Sequence, residues 1–454
     1  MQISKRKIIS AKMEDESKNI VEEPQLSYPF SKDIKLKEGK KLRVLSLFSG
    51  CGGMDLGFEG GFITHKGSVN EKMCPDFVSE HLDNDYVRLA PTIFQTVFAN
   101  DILPDARAAW VHYFSKSNDN DGIYRTESVV DLVKMHRDTK DVFPKDIDVV
   151  TGGFPCQDFS VAGKRRGFES HKDHNGNYIT SEIATEETRG KLYFWMKEVI
   201  DITRPKIFVA ENVKGLTNLG NVKDIIQKDF SSAAGNDYIV LSPQVLHAAD
   251  YGVPQSRERV IFIGIRKDLL KPAALKNLEK ESVPENYNPY PKPTHNYHIK
   301  DKGLAQFQTV RNVFAALDEP SISNDDSQKY YSQAKYMGSH CQGQNEVNLD
   351  DIGPTIRSEH HGNIEYRRLS AEHGGKYTDE LKVGKAERRL TPRECAMIQT
   401  FPPDYEFVFS NSYDKKKFAV SPSGAYKIIG NAVPPVLAYN IARRLQQVWP
   451  LYFD

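Results

Sequence analysis

Cysteine is scarce in this chain: there are five in 454 residues, at positions 51, 74, 156, 341 and 395, with no Cys-x-x-Cys pair and no histidine at zinc-finger spacing. That scatter excludes a disulfide framework and gives no sign of a structural metal, so reduced thiols and no metal ion are expected. An excess of one charge is also lacking. The 61 basic residues balance 61 acidic ones, so no global field draws a polyanion, and any nucleic acid must be held by local patches. No apolar run approaches the roughly 20 residues that a bilayer-spanning helix needs. The opening Met-Gln-Ile-Ser-Lys-Arg-Lys lacks the apolar core of a secretory leader. A cytoplasmic protein with no membrane partner is expected.

What is present, 39% hydrophobic and 27% charged residues, is the composition of an ordinary globular protein long enough for about two or three domains. Residues 1–41 are rich in Lys and Glu without sustained periodicity and read as a charged arm. From Leu42 to about Arg266, short apolar runs alternate with helix-like segments: Val44 to Phe48, Thr96 to Ala99, Ile147 to Val150, Ile207 to Ala210 and Val260 to Ile263. This alternation predicts an α/β fold, a mostly parallel sheet with helices on both faces. Prolines at 272, 284, 289, 291 and 293 then lead into polar, glycine-punctuated sequence. The predicted organisation is one domain over 42–270, completed by 426–454, and a second, less regular one over 271–425. Apolar residues at helical spacing from Pro435 to Val448 predict a last helix packing back onto the first domain.

Cys156 follows the run Ile147 to Val150 in Gly152-Gly153-Phe154-Pro155-Cys156-Gln157. A thiol at the end of a buried strand sits where open α/β sheets build their sites, although a lone cysteine is as readily a core residue. Phe48-Ser49-Gly50-Cys51-Gly52-Gly53 follows the first strand. Such a turn can bring backbone close to a cofactor or be only a structural turn; it is neither a Gly-x-Gly-x-x-Gly fingerprint nor a P-loop. Asp101 closes the second strand, where an acid can bond ribose hydroxyls or cap the helix near Pro104.

Five segments fall in a fixed order: Phe48 to Gly53, Gly153-Phe154-Pro155-Cys156-Gln157, Glu211-Asn212-Val213, Gln255-Ser256-Arg257-Glu258-Arg259, and Gly430-Asn431-Ala432-Val433-Pro434-Pro435. Together, from Leu42 to the C-terminus, they resemble the bacterial restriction-modification type of DNA cytosine-5 methyltransferases. The resemblance implies a Rossmann-like S-adenosylmethionine-dependent methyltransferase fold with a smaller, irregular target-recognition domain over 271–425. It implies Cys156 as the nucleophile at cytosine C6, Glu211 at N3, Arg259 at O2 and Arg257 as a buttress or phosphate grip. The target base must be flipped out of the duplex. Position by position it also implies cofactor contacts from Phe48, Gly50, Gly52, Gly53, Asp101, Pro155, Leu192 and Asn431. The family's adenine-bonding acid aligns with Ser128, a departure that removes that contact.

Lys164, Arg165 and Arg166 follow the nucleophile by eight to ten residues and are expected on phosphate. Arg357, His360, His361, Asn363, Arg367 and Arg368 form the densest set of potential donors in the second domain, and of these Arg357, Arg367 and Arg368 are expected on DNA. Adjacent histidines point apart, so His360 and His361 do not read as a metal pair. Insertions relative to the compact family pattern are expected at about 64–92 and 169–187. Double-stranded DNA is the implied partner and S-adenosyl-L-methionine the implied cofactor, for a monomer paired functionally with a restriction endonuclease. Two rivals stay open. A transfer-RNA methyltransferase of the same family would carry Cys-Phe-Thr and a short second domain, and this chain has neither. A catalytically silent DNA-binding regulator would have lost the thiol or the acid, yet Cys156 and Glu211 are both present.

Overall fold

In the computed structural model, residues 40–82, 85–115, 122–155, 192–218, 221–358, 363–411 and 413–454 are described. The expectations for the arm, Cys156, Lys164, Arg165, Arg166, His360, His361 and the 169–187 insertion lie outside them.

An eight-stranded sheet organises the molecule. Its strands are β1 (Leu42–Leu47), β2 (Phe94–Asn100), β3 (Tyr124–Arg125), β4 (Val149–Gly153), β5 (Ile207–Val213), β6 (Tyr238–Val240), β7 (Gln244–His247) and β8 (Glu258–Arg266). The spatial order is β7-β8-β5-β4-β1-β2-β3, with β6 also paired to β8. Pairings from β3 to β5 are parallel, and β8 joins β5 antiparallel. Three of the five predicted strand runs fall within strands; the Val44 to Phe48 run overshoots the end of β1 by one residue, and the Ile147 to Val150 run straddles the start of β4.

Successive residues of these strands feed two cores, as period-2 alternation requires. Val44, Val149, Val209, Ile261 and Ile263 pack with helices α1 (Gly53–Glu59), α2 (Pro104–Phe114) and the C-terminal helix Pro435–Tyr452. Leu45, Val150, Phe208, Ala210 and Phe262 pack on the other face with α3 (Val129–Thr139), α4 (Leu192–Thr203) and α5 (Val222–Ser231). Burial on both faces explains why the parallel strands read as nearly continuous apolar runs.

The stretch after Lys271 first runs along this domain. Lys271 N–H donates to the Tyr452 carbonyl at 2.9 Å, and the Tyr290 hydroxyl donates to the Ile261 carbonyl at 3.1 Å. The 64–92 insertion forms an antiparallel sheet of Ile63–His65, Tyr86–Leu89 and Val78–His81. It is tied to the C-terminal helix by Arg443–Asp76 and to the chain beyond Pro293 by Asn70, whose amide donates to the Thr294 carbonyl at 3.0 Å. The stretch expected to form a second domain contains short pieces, including Tyr366–Arg368 paired with Arg388–Arg389 and helix Pro392–Ile398, which a Thr391/Glu394 capping box starts.

Helix α1 crosses the C-terminal helix at Gly57, where a Cβ would lie 2.3 Å from Ala438 Cβ and 2.6 Å from the Tyr439 nitrogen. Gly57→Val is expected to cost about 1–3 kcal/mol by overpacking and to lower the urea midpoint; an unchanged midpoint would mean the two helices separate freely.

Candidate active site

The loop after β1 is bent by three positive φ values: +52° at Phe48, +55° at Gly50 and +81° at Gly52. A phenylalanine rarely adopts that conformation, and the neighbouring bonds hold it. Ser49 N–H donates to the Asn100 carbonyl at 2.8 Å, and Ser49 Oγ accepts from Asn100 N–H at 3.1 Å. Gly52 admits no side chain, since a Cβ would lie 2.6 Å from Phe114, and Gly53 presses on the Val433 carbonyl. Gly50 instead faces open space, with nothing within 4 Å of a Cβ position. Of these glycines it is the one a ligand could approach.

Asp101 stands directly beside that opening. Its carboxylate accepts from Gly50 N–H at 3.1 Å and from Leu103 N–H at 2.9 Å, the latter just ahead of α2. Burial holds its carboxyl pKa above the ordinary carboxylate value, opposed by those two amide groups. The loop-shaping and helix-entry roles therefore coexist in one side chain. Leu192 begins α4, buried in the core that also holds Phe154 and supports partly buried Phe48. Pro155 is partly buried at the end of the described stretch. Asn431 is exposed at the end of helix Pro422–Asn431, whose Ile428 carbonyl accepts from the Cys51 thiol at 3.4 Å. Ser128 caps α3, its Oγ accepting Asp131 N–H at 3.1 Å. The sequence already set Ser128 apart from the family's adenine-bonding acid, and the structure gives it a capping role.

The second cluster lies at the ends of β4, β5 and β8. Glu211 sits in register with Gly153 on one side and Ile261 on the other. Its carboxylate meets Arg259 Nε at 2.5 Å, and both residues are nearly buried, at 7% and 9% exposure. A Cβ at Gly153 would lie 2.8 Å from Glu211 Oε2, so that glycine makes room for the acid. Asn212 donates its amide to the Phe154 carbonyl at 3.1 Å and so pins the turn leading to Cys156. An anionic acceptor and a five-donor cation are thus held side by side, able to engage the edge of a planar heterocycle.

Arg257 does not grip phosphate. It is 1% exposed and donates to the carbonyls of Ile356 (3.0 Å), Gly430 (2.9 Å) and Ala432 (2.7 Å), which makes it a buttress. Two of the arginines expected on DNA need similar correction. Arg368 is wholly buried, paired with Glu380 and with Glu319 at 2.7 Å. Arg367, two strand positions from Glu365, pairs with Glu380 at 3.1 Å and lies over the Tyr377 ring. Glu380 pairs with both and Glu319 with Arg368, acids distant in sequence that adjacency did not disclose. Arg357 is partly exposed while bonded to Glu365 at 2.8 Å.

Sequence reasoning passed over three residues. Buried Tyr124 donates its hydroxyl to the Gly50 carbonyl at 2.9 Å, from a two-residue strand too short to leave a pattern. Gln255 and Gln399 are both buried and bond each other at 3.0 Å; Gln399 also donates to the Ile429 carbonyl at 2.8 Å. Gln255 opened one of the five ordered segments, and that was its available signal.

The fold and these two clusters define a Rossmann-like methyltransferase. A family model described as C-5 cytosine-specific DNA methylase matches residues 42–447, and the chain belongs to that family as a DNA (cytosine-5)-methyltransferase. It is 30% identical over 422 residues to the Type II methyltransferase M.BsuRI of Bacillus subtilis, covering 88% of this chain and 78% of that protein. It is 28% identical over 424 residues to the Type II methyltransferase M.NgoFVII of Neisseria gonorrhoeae, covering 91% and 88%. Among solved structures, the Entamoeba histolytica methyltransferase EhMeth shares the fold, with a TM-score of 0.51 and 14% identity over 91% of this chain and 99% of that one.

Because Arg368 is a buried partner of two acids, Arg368→Ala is expected to cost about 3–5 kcal/mol, read as a lower unfolding midpoint. The slope of log affinity for duplex DNA against log salt should stay the same in the fraction that remains folded. A slope shallower by about one would return Arg368 to the phosphate contacts.

Proposed function

We propose that this protein methylates C5 of a cytosine flipped out of a short duplex DNA sequence, acting as a monomer with S-adenosylmethionine and protecting that DNA from a cognate restriction endonuclease. The observation that carries the reading is the Glu211–Arg259 pair beside Gly153, three residues before Cys156. The Type II names of the relatives support the restriction-modification setting. Among the described residues no helix is long and apolar enough to cross a membrane.

Cytosine C5 is too weak a nucleophile to take a methyl group unaided. The Cys156 thiolate adds to C6 while Glu211 supplies or stabilises the proton at N3, and Arg259 donates to O2; both partners turn from each other toward the base. The electron pair released to C5 would form the new carbon–methyl bond as the donor's sulfur–methyl bond breaks, the sulfur keeping that bonding pair as a neutral thioether. Loss of the C5 proton to a base then expels the thiolate and leaves 5-methylcytosine. Burial raises the thiol pKa of Cys51, Cys74 and Cys395, which suits them to the core and not to this attack.

The residues at the first loop fit the cofactor: Gly50 leaves open space, and Asp101, a half-buried residue, holds its carboxylate beside it on the Gly50 N–H. Phe48, Gly50, Asp101, Leu192 and Asn431 would hold it, with Gly52 and Gly53 shaping the loop and Pro155 the approach to the thiol. Bound there, S-adenosylmethionine supplies an electrophilic methyl group.

Incubation with labelled S-adenosylmethionine is expected to label duplex DNA and not transfer RNA. Cys156→Ala should lower the rate by on the order of 10⁴-fold or more, and 5-fluorocytosine at the target should trap a denaturant-stable protein–DNA adduct. Label in RNA alone would favour the transfer-RNA rival, and no label in either would favour the silent regulator. Asp101→Ala should raise the KM for the methyl donor by about tenfold with a smaller change in kcat; an unchanged KM would remove Asp101 from the cofactor contacts.

A further inference from the structure

One group of side chains outside both clusters has the composition of a metal site. His247 ends β7 at the sheet edge, and Asp250 sits in the turn Ala248–Tyr251 that follows. The chain beyond Pro293 folds back over that turn. Thr294 and His295 N–H groups donate to the Asp250 carbonyl at 2.8 and 2.9 Å, and His298 N–H donates to Asp250 Oδ1 at 2.8 Å. One potential ligand atom from each of His247, Asp250 and His298 lies within 4.8 Å of the others, and this is the one such trio among the described residues.

We propose that these three residues bind a first-row divalent cation of the zinc class. Donors bonded at about 2.0–2.2 Å to a tetrahedral ion stand roughly 3.3–3.5 Å apart. Asp250 Oδ2 and His298 Nδ1 are already 3.2 Å apart. With all three ligand atoms within 4.8 Å of one another, the His247 ring must close by no more than about 1.5 Å, within reach of a side-chain rotation. Its present bond, Nδ1 accepting Ala249 N–H at 3.3 Å, is long and cheaply surrendered. The Tyr297 ring stacks on His247 at 5.6 Å and restricts its tilt. Two imidazoles and a carboxylate without sulfur favour zinc, cobalt or nickel over calcium or magnesium.

A cavity of about 320 Å³ is lined by all three residues and by Glu258, Pro291 and Ile299. It leaves room for water or a small anion to complete the coordination shell. His247 pairs in register with Glu258, and Leu246 with Arg259. The ion would therefore clamp the edge of the catalytic sheet to the chain entering the second domain.

The test uses full-length protein without a histidine tag, dialysed against chelator and titrated calorimetrically with zinc chloride and cobalt chloride. One ion should bind and raise the thermal midpoint. His298→Ala should weaken binding by at least about tenfold and abolish the midpoint rise. His298 lies outside the methyl-transfer machinery, so activity without added metal should equal that of the wild type. The cobalt spectrum should lack a thiolate charge-transfer band, which separates this site from Cys156 and Cys341. No binding, equal binding by His298→Ala, or a thiolate band would each overturn the site, and none depends on whether cytosine is the substrate.

Discussion

The Arg257 guanidinium holds together three parts of the chain that are far apart in sequence. A charge buried to this depth is tolerated only with several hydrogen bonds, and Arg257 finds them on Ile356, Gly430 and Ala432. One partner belongs to the proposed recognition domain and two to the turn containing Asn431, while Arg257 itself precedes Arg259 by two residues. The Gln255–Gln399 amide pair repeats the connection with neutral groups. Through these bonds the segment leading to Arg259 in the proposed base-binding pair, the turn carrying Asn431 and the proposed recognition domain share one junction.

Around that junction, the charged groups of the site emerge where strands end. The strands are mostly apolar along their buried lengths, with Ser46, Thr96 and Thr151 as buried polar exceptions, and the sheet delivers Asp101, Glu211 and Arg259 to its margins or neighbouring turns. Close packing fixes what can vary. At Gly52 the aromatic rings of α2 fill the space of a side chain, whereas at Gly50 the space is open. Two glycines a residue apart in one loop thus differ in physical role, one bound by packing and one leaving room for a ligand.

Much of the architecture was legible because its causes are local. The Val260 to Ile263 run read as a buried strand, as did Val44 to Phe48 up to its last residue, and apolar spacing marked the helix from Pro435. The charged residues were harder to read. Arg367 and Arg368 resemble a basic patch in sequence, yet Glu380 and Glu319 fold against them. Ser128 occupies a position aligned with a ligand contact, yet caps a helix. A side chain's partners are set by contacts distant in sequence, and these leave no local pattern. The same is true of His247, Asp250 and His298: they carry no cysteine and no motif spacing, and they converge because the 293–299 segment folds back.

By itself the sequence determined the alternation of strands and helices and the ordered segments that place the chain among the cytosine-5 DNA methylases, and it put forward Glu211, Arg259 and Asp101 as candidates. Those are properties of local periodicity and residue chemistry. Only the tertiary structure decided which cations are free to meet a ligand and which are spent on the protein's own carbonyls and carboxylates. It also decided that Gly50 and not Gly52 faces open space. Burial and hydrogen-bond satisfaction are sums over neighbours from the whole chain, and a linear reading does not contain them.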